Sequence, residues 1–307
     1  MHKISIFFIL ISLFGYSQRS SYSPYSYFGV GETNFSATVE NQMMGGNTAY
    51  YDSVHQNMNN AASMSKLKFV NYSIGVDLKN TSYLSESNNE SSTAAAINYI
   101  SVAIPTNVLS FSFGIKPKTS VGYLLENDDK TQTIAELNRF TGSGGISNAF
   151  VSIGFELFKN WGIGVSSSYA FGNLNHYHTK ILENIELYTR VSSESSVSGL
   201  DYNFSTVYQK TFNNKTTLYT SIVYQPEANY KSKNNQSIST INPNGNFGGD
   251  SEIIDLSLIG LDETDVKIPS SLSFGLGLGE DKKWYFGLNY LKTAEGGYKN
   301  ELMALDN

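Results

Sequence analysis

In one eight-residue stretch every second side chain is apolar: Leu109, Phe111, Phe113 and Ile115 alternate with Ser110, Ser112, Gly114 and Lys116. The same rhythm returns where Trp161, Ile163, Val165, Tyr169 and Phe171 alternate with Gly162, Gly164, Ser166, Ser168 and Ala170. It returns again in Leu272, Phe274, Leu276 and Leu278, and in Trp284, Phe286, Leu288 and Tyr290. Side chains of a strand point alternately to two faces, so each run predicts a strand with one apolar face and one face of small polar residues. Nine such strands are predicted, near 67–78, 95–104, 108–116, 148–158, 161–171, 198–211, 216–225, 267–278 and 284–292.

The connections alternate in strict order between tight and long. Tight turns fall at Pro105-Thr106-Asn107, Lys159-Asn160, Asn213-Asn214-Lys215 and Gly279-Glu280-Asp281-Lys282-Lys283. Long polar stretches separate them at 79–94, 117–147, 172–197 and 226–266. Short turns at one end and long loops at the other are the pattern of an outer-membrane barrel. A soluble β-sandwich also alternates apolar-in and polar-out, but its solvent face is usually furnished with Lys, Glu and Thr. Here the polar positions are mostly Ser, Gly and Asn, which suits a crowded lumen, and the charged residues, only 16% of the chain, gather in turns and loops. Trp161, Tyr169, Phe171, Trp284 and Tyr290 stand near strand ends, where amphipathic rings meet lipid headgroups. The fold expected is therefore all-β, an antiparallel transmembrane β-barrel over 67–307.

The N-terminus reads as a secretory signal over 1–17: Lys3 supplies the positive charge, 4–14 the apolar stretch and Gly15-Tyr16-Ser17 the cleavage site. Eleven apolar residues are too few to span a hydrocarbon core that needs roughly 20. With 21 basic and 27 acidic residues the net charge is −6, which argues against nucleic acid as a partner. A chain without Cys has no disulfide, no Cys-linked lipid and no Cys nucleophile. Beyond the signal no apolar run reaches 18 residues, so only strands can cross a membrane.

The stretch 18–66 is Ser-, Asn- and Gly-rich and only weakly periodic. A structureless segment of this length is usually functional or disordered, and its turn-forming residues suit a plug, or hatch, folded into the lumen. An odd count of nine strands, and a final run Leu302-Met303-Ala304-Leu305-Asp306-Asn307 without a closing aromatic, predict that further strands follow, because bacterial barrels close with even numbers.

Several short motifs resemble the FadL/OmpP1/TodX family of outer-membrane transport proteins in its Bacteroidota form. They are Met44-Gly45-Gly46-Asn47-Thr48-Ala49, Asn57-Met58-Asn59-Asn60-Ala61-Ala62-Ser63-Met64, Pro269-Ser270-Ser271-Leu272-Ser273-Phe274-Gly275 and Lys283-Trp284-Tyr285-Phe286-Gly287-Leu288-Asn289-Tyr290, with Ser23-Pro24-Tyr25-Ser26-Tyr27-Phe28-Gly29-Val30-Gly31 at the mature N-terminus. The resemblance implies about 14 strands in the full protein, a luminal hatch over 18–66, and passage of hydrophobic small molecules such as fatty acids or aromatic hydrocarbons. It marks Gly45, Gly46, Asn47, Asn60, Ala61 and Ala62 as hatch or gate candidates. Where that family usually has Asn-Pro-Ala, this chain has Asn60-Ala61-Ala62, so the turn lacks its proline.

No nucleophile elbow, phosphate loop, dinucleotide fingerprint or metalloprotease motif is present, so no enzymatic activity, cofactor or metal is expected. His176-Tyr177-His178 puts two imidazoles on one strand face without a third ligand. Glu126, Asp128 and Asp129, and Asp250, Glu252, Asp255, Asp262, Glu263 and Asp265, read as solvated loop surface rather than a calcium loop. The expected surroundings are outer-membrane lipid and lipopolysaccharide, with the N-terminus periplasmic and the long loops extracellular. Two functions compete: a FadL-like channel, and a non-transporting barrel that binds a protein partner in a secretion or assembly complex. A transporter needs a continuous apolar pocket, whereas the inner positions legible here, among them Ser110, Ser112, Ser166 and Ser168, are small and polar.

Overall fold

A computed structural model describes residues 23–35, 37–84, 89–129, 135–213, 215–245, 247–280 and 283–294. The signal segment 1–17 and the stretch 295–307 that bears on further strands lie outside them. Thirteen strands form one antiparallel sheet: β1 (Glu32–Thr33), β2 (Asn71–Leu84), β3 (Asn89–Pro105), β4 (Leu109–Asp129), β5 (Glu136–Phe158), β6 (Trp161–Leu182), β7 (Tyr188–Thr211), β8 (Thr216–Gln225), β9 (Ala228–Ile241), β10 (Phe247–Ile254), β11 (Glu263–Ile268), β12 (Ser271–Glu280) and β13 (Trp284–Thr293). The main path runs β13-β12-β8-β7-β6-β5-β4-β3-β2, with β9 carrying β10 and β11 beside the upper half of β7.

Eight of the nine predicted strands are present as single strands, most of them longer than the alternation shows; the remaining one, 267–278, is split at Pro269-Ser270, its first two residues ending β11 and the rest forming β12. The stretches expected as long polar loops are largely strand: 117–129 continues β4, 136–147 begins β5, 172–182 extends β6, and 226–266 holds β9, β10 and β11. The tight turns fall where expected. Asn160 and Lys215 take left-handed φ values of 67° and 66° at two of them, and the amide of Thr106 donates to the Leu109 carbonyl at a third.

The sheet curls into a half-barrel around the N-terminal segment. Laid flat, the strands from β4 to β13 would span about 29 Å at roughly 4.8 Å apiece. Yet Gln56 bonds to Ser112 on β4 while Thr48, eight residues away, reaches Asn289 on β13. Curvature brings both walls within reach of one compact segment.

Polarity reverses along the strands. On β6 the odd positions Trp161, Val165, Tyr169 and Phe171 are exposed and apolar, while Gly162, Gly164 and Ser168 are buried. Above Gly172 the odd face carries exposed Asn173, and the even face buries Leu174 and His176. β7 repeats the switch, with Leu200, Tyr202, Phe204 and Tyr208 exposed below and Glu194 and Ser196 exposed above. In the lower zone apolar side chains thus lie on the outer face and small residues on the inner one. Trp161 to Phe171 covers about 33 Å of strand, or about 25 Å of height at a tilt of roughly 40°.

The upper zone has the opposite arrangement, polar on the outer face and apolar within. Val121, Tyr123, Ile146, Leu174, Val197, Tyr230, Val266 and Ile268 form its buried core together with Val30 of the N-terminal segment. Its outer face carries cross-strand ion pairs, Lys231–Asp265 at 2.7 Å and Lys233–Glu263 at 3.5 Å. The zones meet where the β4–β5 register shifts between Pro117 and Thr119.

Candidate plug and interior cavity

The N-terminal segment threads the concave face. It enters on the upper sheet, where the amide of Ser23 donates to the Gly122 carbonyl and Glu32–Thr33 pairs with β4. A short α-helix, Val39–Met43, follows. It is stopped by Gly45 and Gly46 at φ values of 67° and 71°, whose amides return to the carbonyls of Gln42 and Asn41. Left-handed backbone costs glycine least, which is why two stand here. A 3-10 turn, Ala61–Lys66, then leads into β2.

Polar side chains pin this path to the wall. The Asn47 carboxamide oxygen accepts from the amides of Ala49 at 2.8 Å and Tyr50 at 3.2 Å and from the Tyr285 hydroxyl on β13 at 2.9 Å. Thr48 Oγ1 donates to Asn289 Oδ1 at 2.7 Å and lies 2.9 Å from Ser221 Oγ on β8. Asn60, fully buried, donates from Nδ2 to the Thr48 carbonyl at 2.7 Å and caps the 3-10 turn by accepting from the Ala62 amide at 3.1 Å. That amide also donates to Ser205 Oγ on β7 at 2.9 Å. At the base, Lys66 pairs with Glu156 at 2.6 Å.

Backbone meets backbone at two wall glycines. A Cβ on Gly154 would strike the Ala61 carbonyl, and one on Gly164 would strike the Ala61–Ala62 peptide. Neither obstacle is a side chain that can swing away. The small inner residues of β5 and β6 thus serve close docking of the segment.

Of the six residues marked in the sequence, five sit at this contact or beside it. Asn47, Asn60, Ala61 and Ala62 are buried against the wall; Gly46 lies under the Phe35 ring. Gly45 is exposed with open space around it and serves only the turn. Sequence reasoning missed Thr48 and Gln56, and on the wall Ser205, Ser221, Tyr285 and Asn289. For the wall residues inward parity was a signal, which places a residue on a face without saying what touches it; Thr48, Tyr285 and Asn289 also stood inside the resembling motifs, and Gln56 had no signal.

Between segment and wall lies a cavity of about 270 Å³. Its lining is mixed: Asn34, Asn148, Ser168 and Asn203 stand beside two lysines, with Phe35, Met58, Val223 and Leu291 among them. Lys118 Nζ donates to Asp201 Oδ2 at 2.6 Å and to the Tyr230 hydroxyl at 2.7 Å, and Tyr230 in turn donates to Asp201. Lys116 Nζ donates to Asn59 Oδ1 at 3.3 Å and lies 5.7 Å from the centre of the Phe150 ring.

The two imidazoles face inward but act apart. His176 Nδ1 lies 2.6 Å from the Tyr123 hydroxyl, and burial in the upper core pushes its pKa down to about 4. His178 stacks on Phe140 with ring centres 4.4 Å apart and meets Asn138 Oδ1 at 2.8 Å. His55, near the base of the segment, pairs with Asp52 at 2.7 Å. Among the described residues no group of three His, Asp or Glu is placed to hold a metal ion. Asp250, Glu252, Asp255, Asp262, Glu263 and Asp265 are exposed.

No curated protein and no solved structure matches the chain. The resemblance to the FadL/OmpP1/TodX family is overturned, because the family model that matches is a different one, and the strand total of about 14 that rested on the resemblance goes with it. The motifs that carried it have local roles: Gly45-Gly46 ends a helix, and Asn47 and Asn60 tie the N-terminal segment to the curled sheet. The matching family model is that of BamG, over residues 1–307, and the chain belongs to the BamG family.

Proposed function

We propose that the protein is an outer-membrane component associated with an assembly complex, working through protein contacts rather than passing hydrophobic molecules. The observation that carries this reading is membership of the BamG family along the whole chain, a name that points to outer-membrane assembly. The exposed apolar lower zone, about 25 Å tall, supports a place in the membrane with lipid around it. In this reading the short turns face the periplasm, the upper sheet stands outside the cell, and the segment 18–66 is a fixed plug.

The interior favours a scaffold over a hydrophobic route. A route for fatty acids or aromatic hydrocarbons is mostly apolar with a few polar groups; the cavity beside the plug mixes apolar residues with Lys116, Lys118 and Asp201, and the inner wall positions Ser110, Ser112, Ser152, Ser205 and Ser221 are buried and polar. The reading contains no catalytic step. Its test is to purify the tagged full-length protein from outer membranes in mild detergent and identify what accompanies it by mass spectrometry. Stoichiometric outer-membrane assembly proteins are the expected result, whereas a stoichiometric apolar ligand with no protein partner refutes the scaffold.

A further inference from the structure

We infer that the cavity beside the plug is a binding site for a small polar organic anion, a carboxylate that also carries hydroxyl groups. The inference is independent of the assembly role. Lys116 supplies the charge. It points inward on β4, lines the cavity and, among the described residues, forms no ion pair; its hydrogen bond is to the neutral Asn59. The neighbouring Lys118 is matched by Asp201, so the cavity holds one cation in excess. A charge withdrawn from bulk water is stabilised by an opposite charge, and a lysine head group meets a carboxylate as a compact donor of up to three hydrogen bonds.

A second observation is the need for donors. Asn148 and Asn203 line the same cavity, and each has a buried carboxamide oxygen with no hydrogen-bond partner; Asn148 is 5% exposed. Buried acceptors without partners are costly, because they have given up their bonds to water for nothing. Hydroxyl groups on the ligand answer them, while Ser166 and Ser168 give or take further bonds. A simple ion such as chloride satisfies Lys116 but offers those oxygens no donor. At about 270 Å³ the space lies near the lower end of organic-ligand pockets, roughly 300–1,000 Å³.

The test is calorimetric titration of the full chain in detergent with three probes: gluconate, which has both features, sorbitol, which has only hydroxyls, and chloride, which has only charge. Saturable 1:1 binding of gluconate, weakened at least about tenfold in Lys116→Gln and absent for sorbitol and chloride, is the expected result. Equal binding of sorbitol, equal binding of chloride, no saturable gluconate binding, or a Lys116→Gln protein that binds gluconate like the parent would each overturn the proposal. Lys116→Arg keeps the charge and retains binding within a few-fold, so a folding defect in the glutamine variant does not obscure the outcome; an arginine variant that is folded and does not bind also counts against the site.

Discussion

The amide of Ala62 donates to the hydroxyl of Ser205 at 2.9 Å, a contact between residues 143 positions apart in the chain. The same amide is capped by Asn60 Oδ1 at 3.1 Å, so one N–H joins the end of the plug, its local turn and the wall strand β7. Removing Asn60 also strips the Thr48 carbonyl of its bond. Asn60→Ala is expected to cost about 1–3 kcal/mol, the range for leaving buried groups unpaired, and Ser205→Ala about 1 kcal/mol. Denaturant unfolding in micelles, read by tryptophan fluorescence, gives both values and their order.

Docking of backbone on backbone makes Gly164 intolerant of even a methyl group. Its added Cβ has only the Ala61–Ala62 peptide to push against, so the 3-10 turn must leave the wall. Gly164→Ala is expected to destabilise by about 1–3 kcal/mol, the usual effect of overpacking, and to open the segment around 47–66 to protease. Limited proteolysis followed by mass spectrometry reads the cleavage sites; a variant as resistant as the parent argues against tight docking.

Outward parity decides the cost of a charge in the lower zone. Leu276 is 51% exposed on β12, on the face read as meeting lipid. Leu276→Arg is expected to cost about 2–4 kcal/mol in a bilayer if it stands near the midplane. Lys231→Ser, on the exposed outer face of the upper sheet, is expected to leave stability close to that of the parent, because an exposed ion pair contributes little. Unfolding of both variants in liposomes makes the comparison, and equal small effects would contradict a lipid-facing zone.

Acid loosens the upper sheet through His176. Burial lowers its folded pKa from 6.5 to about 4, so as pH falls the unfolded chain binds the proton first. The contribution is complete above pH 6.5 and is lost progressively as pH drops from there to about 4, on the order of 3 kcal/mol in total. Unfolding free energy measured between pH 7 and pH 4.5 should slope downward in the parent and flatten in His176→Gln.

The lower strands were legible because their two faces differ sharply, as Phe111 and Phe113 differ from Ser110 and Ser112. The upper strands were not. On β9, Tyr230, Ser232 and Asn234 face in while Lys231, Lys233 and Asn235 face out, so polar residues occupy both faces and period-two hydrophobicity vanishes. Strand pairing holds such a segment where burial alone would not mark it: β9 is bonded to β7 over Tyr188–Ser198 and to β11 over Glu263–Ile268. Nor could periodicity show that β8 and β9 share β7, one below and one above. The N-terminal segment stood apart by its composition, and the residues that fasten it to the wall, Thr48 and Gln56 on one side and Ser205 and Asn289 on the other, emerged only from the curled sheet.

The most direct test of an assembly role is to deplete the protein in its native host and quantify other outer-membrane barrels by heat-modifiability and surface proteomics. A fall in correctly folded barrels, with growth on fatty acids or aromatic hydrocarbons unchanged, is the predicted result. Normal barrel levels together with loss of growth on those hydrophobic compounds would contradict the account and return the protein to transport.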